Sequence, residues 1–253
     1  MKLIRTVSEI REFRRSLNGT VGFVPTMGAL HKGHLSLVEE SNHQCDNTLV
    51  SIYVNPTQFN NPNDLASYPD TLDSDLKSLG DRAVAVFLPD YQLLYPDDFA
   101  YEIDEKVFSH ELCGAHRPGH FTGVLTVVMK LLNLIRPDKA FFGEKDFQQL
   151  MLVKGMARAF FLETEIVGCA IVREADGLAM SSRNLNLCHT DRAKAPEFNR
   201  LLKNEGDDKE TAEALEQAGF NVDYVATVDG RRFGAVLMGS GESPVRLIDN
   251  VQV

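Results

Sequence analysis

Two histidines stand three residues apart in His31-Lys32-Gly33-His34, inside the run Pro25-Thr26-Met27-Gly28-Ala29-Leu30-His31-Lys32-Gly33-His34. The apolar run over 20–24 before it reads as a buried strand. Leu35-Ser36-Leu37-Val38-Glu39-Glu40 after it reads as a helix start. At a helix N-terminus, a spacing of three points both imidazoles the same way. Unpaired backbone N–H groups and the positive end of the helix dipole collect there too, which suits an anion such as a nucleotide phosphate. Pro25 and the two glycines make the strand-to-helix turn tight, and Gly33 is expected to leave room for a ligand against the backbone. A bare H-x-G-H also occurs in ordinary turns. The strand before it and the helix after it are what give it weight.

Three further constellations fit the same chemistry. Asn55-Pro56-Thr57-Gln58-Phe59 follows a second apolar run, and the Gln58 amide can hold a carboxylate and a hydroxyl together. A turn rich in polar residues is the plain alternative. Gly143-Glu144-Lys145-Asp146-Phe147-Gln148-Gln149 offers a glycine for close approach, a mobile cation in Lys145, a helix cap in Asp146, and Gln149 one turn into the helix. Met180-Ser181-Ser182-Arg183-Asn184 sets two hydroxyls beside a guanidinium, a set suited to triphosphate oxygens and able to close over a nucleotide as a mobile loop. His116-Arg117-Pro118-Gly119-His120-Phe121 precedes the most apolar helix and reads either as a border of the site or as a loop with incidental histidines. His43, His110 and His189 read as surface residues.

These segments need a frame. Apolar runs over 20–24, 48–54, 83–88, 140–142 and 166–172 read as strands, separated by helical patterns over 35–42, 72–79, 123–135 and 147–161. Unalternating apolar strands separated by helices imply a doubly wound parallel sheet covered on both faces, an α/β, Rossmann-like fold. Ligands bind such sheets beyond the C-terminal strand ends, where the segments above lie. The pattern changes after Val172. A polar loop, charged helices near 192–203 and 209–218, and strand-like runs over 222–228, 235–238 and 245–248 suggest a small α+β second domain. The division is thus 1–172 and 173–253.

Composition narrows the partners. The chain has 253 residues, a formal net charge of −10 and 43% apolar residues. No basic excess exists to neutralise a nucleic-acid backbone, although a small phosphorylated ligand needs only a local cluster of cations. The most apolar stretch, 124–135, is broken by Lys130 and Asn133 and is too short to span a bilayer. Cys45, Cys113, Cys169 and Cys188 form no C-x-x-C pair, and residues 1–6 show no apolar signal region. Free thiols in a reducing cytoplasm are the expectation.

In order and spacing, 25–34, 54–59, 142–149 and 176–184 resemble the pantothenate synthetase family (pantoate–β-alanine ligase, AMP-forming), within the nucleotidyltransferases that share H-x-G-H. The resemblance is specific over 1–187 and looser beyond, where Arg246-Leu247-Ile248-Asp249-Asn250 is similar to the family's closing strand. It implies a Rossmann-like domain binding ATP and pantoate, a smaller C-terminal lid domain, a homodimer, and Mg²⁺ as an assisting ion. The implied reaction joins (R)-pantoate to β-alanine through pantoyl adenylate. It further implies His34 as proton donor, and ATP contacts from Met27, Gly28, Ala29, Leu30, His31, Lys32, Gly33 and His34. Gly143, Glu144, Lys145, Asp146, Val172, Met180, Ser181, Ser182 and Arg183 complete the implied ATP site. Gln58 and Gln149 hold pantoate, with Gln58 shared by β-alanine. Asp70 stands where the family often has Arg, and the second domain reads as shorter than usual. Another H-x-G-H nucleotidyltransferase and a non-catalytic nucleotide-binding protein are the alternatives.

Overall fold

A computed structural model describes residues 1–66, 68–239 and 244–253. Six parallel strands form the main sheet: β1 (Lys2–Ile4), β2 (Val21–Thr26), β3 (Asn47–Ile52), β4 (Ala85–Phe87), β5 (Lys139–Gly143) and β6 (Glu165–Cys169). Their order is β1-β4-β3-β2-β5-β6. After β2 the chain builds outward through β3 and β4, then returns to lay β5 on the other side of β2. The crevice between the C-terminal ends of β2 and β5 is therefore the topological switch point, where doubly wound sheets bind ligands.

Successive side chains leave a strand on opposite faces, and both faces are apolar. Phe23, Leu49, Phe87 and Phe142 pack against the helices His120–Ile135 and Phe147–Ala159. Val24, Val50, Val86 and Phe141 pack against Lys32–Gln44 and Leu72–Leu79. Adjacent residues such as Phe23 and Val24 thus serve different cores. That is why the strands read as unbroken apolar runs.

Antiparallel β7 (Asn221–Val228), β8 (Arg231–Met238) and β9 (Val245–Gln252) make a second sheet. It packs with the helices Pro196–Leu202 and Asp208–Gln217 around Phe198, Leu202, Leu215 and Val236. Polar contacts dock this unit on the main sheet. Asn250 Nδ2 donates to the carbonyls of Glu144 and Lys145 at 2.9 and 3.0 Å, and a two-pronged ion pair of Arg173 with buried Asp249 at 2.7 and 3.0 Å fastens the segment that leaves β6 to the closing strand. The closing strand therefore holds the turn that carries Lys145.

The helix expected over 192–203 is two, His189–Lys194 and Pro196–Leu202, because Pro196 occupies the first position of the second. The sequence reading missed β1 and the helix Val7–Ser16. The latter carries a reciprocal capping box between Thr6 and Glu9, a signal present in the sequence. Among the described residues no helix is long and apolar enough to cross a membrane.

Candidate active site

His31 is the N-cap of the helix Lys32–Gln44, and His34 is three residues inside it. Their rings close a reciprocal box. Gly33 N–H donates to His31 Nδ1 at 3.1 Å, and His31 N–H donates to His34 Nδ1 at 3.3 Å. The ring centroids lie 4.0 Å apart. A ring nitrogen that accepts a backbone N–H carries no proton, so each neutral ring bears its proton on Nε2. Both rings line the crevice. Burial is the largest cause holding His34 down at about 3, with His31 and Lys145 adding to it. His31 is held at about 4 by burial and then by Lys145. Both rings are therefore neutral and offer their Nε2–H groups as hydrogen-bond donors.

This packing corrects two expectations. Five backbone N–H groups near the helix start are already satisfied internally: Gly28 by Thr26 Oγ1, Ala29 and Leu30 by the Asp75 carboxylate at 2.9 and 2.8 Å, and His31 and Gly33 by the histidine box. The space at Gly33 belongs to the His31 ring, since a Cβ there would lie 2.9 Å from Nδ1. Gly33 is required so that the capping ring can fold back, and the dipole's positive end remains beneath it.

Gln58 is buried and lines the same crevice. Asn55 Nδ2 donates to its Oε1 at 3.2 Å, and its Nε2 lies 2.8 Å from Met27 Sδ. Its main-chain carbonyl accepts from His120 Nδ1 at 2.8 Å and from Arg117 Nη2 at 3.2 Å. His120 is thus no incidental loop histidine. It opens the helix His120–Ile135 and is 8% exposed. Burial first, then Arg117, holds its pKa at about 3. Gln149 faces the same crevice from the helix Phe147–Ala159. Its neighbour Gln148 points the other way and ties down Phe108, Glu111 and Cys113.

The segment after Met180 already spans the crevice mouth. Ser182–Asn186 is a short 3-10 helix capped by Ser181, and Arg183 pairs with Asp64 at 2.9 Å. Asn184 is bonded to Glu174 and to the carbonyl of Ala179. The segment expected to be a mobile loop is thus bonded at Ser181, Arg183 and Asn184.

Met27, His31, Gly33, His34, Gln58, Gly143, Lys145, Asp146, Gln149, Val172, Met180, Ser181, Ser182 and Arg183 come together around this crevice. Gly28, Ala29, Leu30, Lys32 and Glu144 do not line it. Lys32 is exposed, the three residues before His31 pack on Asp75, and Glu144 faces Arg231 on β8. Asp146 lines the crevice but makes no side-chain cap bond to the helix after it. Exposed Asp70 is not among the lining residues, whereas Tyr68 is.

Sequence reasoning missed Asp75, and of its two readings of 116–121 the one that borders the site holds for Arg117 and His120. Asp75 did leave a signal. It sits with Leu72, Leu76 and Leu79 on one apolar helical stripe, where a carboxylate must have buried partners.

The sequence profile described as pantoate-beta-alanine ligase matches residues 2–252. The pantothenate synthetase of Bdellovibrio bacteriovorus is 52% identical over 253 residues, covering 100% of this chain and 99% of the relative. That of Coxiella burnetii is 47% identical over 254 residues, with 99% and 96% covered. The second domain is therefore no shorter than in these relatives. A pantoate-beta-alanine ligase from Francisella tularensis, solved with beta-gamma ATP and beta-alanine, superposes with a TM-score of 0.92 at 40% identity, covering 100% of this chain and 97% of its own. A pantothenate synthetase from Thermus thermophilus gives 0.88 at 38%, with 100% and 99% covered.

Proposed function

The chain belongs to the pantoate-β-alanine ligase family, and from that premise we propose that its two chemical steps take place in the crevice between β2 and β5. The protein condenses (R)-pantoate with β-alanine, converting ATP to AMP and pyrophosphate, and so makes pantothenate. Family membership disfavours another H-x-G-H nucleotidyltransferase, and the full-length match to pantothenate synthetases disfavours a non-catalytic protein with a shortened lid. In the first step a pantoate carboxylate oxygen bonds to the α-phosphorus, the bond from that phosphorus to the bridging oxygen breaks, and pyrophosphate leaves. In the second, the β-alanine amine bonds to the acyl carbon, the bond from that carbon to the oxygen bridging it to phosphorus breaks, AMP departs with the bridging oxygen, and the nitrogen loses a proton.

Charge accumulates on phosphate oxygens in the first step, so preorganised donors and cations matter more than a protein nucleophile. The observation that carries the assignment is the facing of two neutral imidazoles, each with its proton on Nε2, by Lys145 across one crevice. In our reading His34 and His31 donate to the α-phosphate and the departing oxygens. Lys145 and, once released from Asp64, Arg183 supply positive charge. His34 then acts by donating a hydrogen bond and keeps its proton. Gln58 and Gln149 orient pantoate, with Asn55 fixing which face of the Gln58 amide is presented.

Mg²⁺ on nucleotide phosphates needs only one or two protein carboxylates. Among the described residues lining the crevice, Asp146 is the one acidic side chain and fits that role. Bound there, the ion would neutralise phosphate charge. We assign residues 1–172 to ATP and pantoate and 173–253 to the supporting lid. Four unpaired cysteines fit a reducing cytoplasm. We assign the homodimer contact to the apolar groove where Met151 and Phe160 are exposed, with sedimentation as its check.

The decisive assay is exchange of labelled pyrophosphate into ATP, with and without pantoate, followed by β-alanine-dependent AMP release. Exchange that requires pantoate is expected. Exchange indifferent to pantoate, or AMP release indifferent to β-alanine, would overturn the reading.

A further inference from the structure

Arg117 borders the crevice from the turn that precedes the helix His120–Ile135. Its Nη2 donates to the Gln58 carbonyl at 3.2 Å, and its Nη1 lies 3.2 Å from His120 Nε2. His120 gives its own proton to the same carbonyl through Nδ1, so Nε2 is the acceptor and the ring is neutral. Both partners of the guanidinium are therefore uncharged. Among the described residues no carboxylate forms an ion pair with Arg117. Arg183 has Asp64 and Arg246 has Asp223, and both of these cations lie close enough to repel it. Burial first, then Arg183 and Arg246, pulls Arg117 down to about 10 against a smaller opposing pull from Cys113 and from Asp64, and the guanidinium is still charged at neutral pH. A half-buried cation held by neutral groups amid like charges is costly to fold. It is suited to an anion that arrives later.

The reaction offers three kinds of anion. The phosphates belong at the helix N-terminus with His31, His34 and Lys145. The pantoate carboxylate is the nucleophile. A two-pronged guanidinium grip would hold the lone pairs it must use, and the grip would lose its charge partner once the acyl phosphate forms. The β-alanine carboxylate is different. It keeps its charge from substrate through to product, and it sits two methylene groups from the attacking amine. A fixed fork beside Gln58, whose amide orients the acyl partner, would place that amine over the acyl carbon.

We propose that Arg117 binds the carboxylate of the incoming β-alanine and so selects an amino acid over a plain amine. The inference rests on the proposed adenylation site and adds to it the residue that reads the second substrate. His120 acts as a positioning residue, because it fixes the guanidinium through Nε2.

The test separates the half-reactions. Arg117→Met and Arg117→Lys are assayed for pantoate-dependent pyrophosphate exchange. Each is then assayed for condensation with β-alanine and with 3-aminopropanamide, which lacks the carboxylate. The expected result for Arg117→Met is exchange within a few-fold of wild type. Its preference for β-alanine over the amide, as the ratio of kcat/KM values, should fall by about 10²-fold or more, since a site built to pair a polar group rejects analogues lacking it. Arg117→Lys keeps charge but not the fork, and should recover part of the preference. It carries the same comparison should the methionine variant fail to fold. A preference unchanged from wild type, or exchange lost in step with condensation, would overturn the proposal. Wild-type protein without pantoate-dependent exchange would instead overturn the underlying function.

Discussion

Replacing His34 tests whether the neutral imidazole pair is the core of the adenylation site. Two separate losses follow from its geometry. The His31 backbone N–H loses the acceptor that His34 Nδ1 provides at 3.3 Å, part of a reciprocal cap. Losing a cap of this kind costs about 0.5–2 kcal/mol of stability. The crevice also loses one Nε2–H aimed at developing phosphate charge, and removing one such donor costs about 10²–10³ in rate. His34→Ala should therefore show a modest fall in stability by urea denaturation and a far larger fall in single-turnover adenylate formation.

The pH profile supplies the second arm. Burial holds His34 at about 3 and His31 at about 4, below the ordinary value of 6.5. Neither ring is protonated in the free enzyme at working pH. The profile of kcat/KM for ATP reports free-enzyme groups. Corrected for the nucleotide's own titration, it should show no inflection from these rings between about pH 5 and 8. An alkaline limb near the ordinary histidine value that vanishes in His34→Ala would mean that the ring acts as a cation. Near-normal single-turnover adenylation in the variant would remove His34 from the chemistry altogether.

Three other outcomes follow from the same geometry. Asp75, 2% exposed, accepts from Ala29 N, Leu30 N and Thr71 Oγ1; Asp75→Asn turns an amide N–H toward one of these donors. It should cost about 1–3 kcal/mol and lower activity with it, and unchanged urea midpoints would refute the role. Asp64→Asn removes the partner that holds Arg183 at 2.9 Å, a partly exposed pair worth about 0.2–1 kcal/mol. Apparent ATP affinity by calorimetry should rise by up to a few-fold, and a loss of affinity would show that the pair aids binding. His120 is depressed to about 3 from 6.5, so the stability gained by keeping it neutral is intact above about pH 6.5 and is lost as pH falls toward 3. At pH 5 that difference is about 2 kcal/mol. His120→Asn, which can still donate to the Gln58 carbonyl, should flatten the decline in urea-denaturation stability between pH 7 and 5, and an equally steep decline would exclude His120 as its source.

Local sequence determined the frame and the chemistry-bearing segments. Apolar runs of strand length, helical stripes such as Leu72-Asp75-Leu76-Leu79, and glycine-rich turns are signals carried within about a dozen residues. They sufficed for the parallel sheet, for a small C-terminal unit with its own strands and helices, and for segments such as His31–His34 and Gly143–Gln149. The short edge strand β1 escaped because three residues carry no periodicity, and its pairing with β4 joins residues about eighty positions apart. Only tertiary structure decided which donors remain for a ligand. The N–H groups of Ala29 and Leu30 are taken by Asp75, roughly 45 positions away, and Arg183 is paired with Asp64 across 119. Protonation was equally invisible. The Nε2 protons of His31 and His34 follow from what their Nδ1 atoms accept, and their low pKa values follow from burial, a property of the packed crevice and of no residue in it. The role of Arg117 belongs there too. Its meaning lies in which charges surround it, and the chain brings those together from Asp64, Arg183 and Arg246 only on folding.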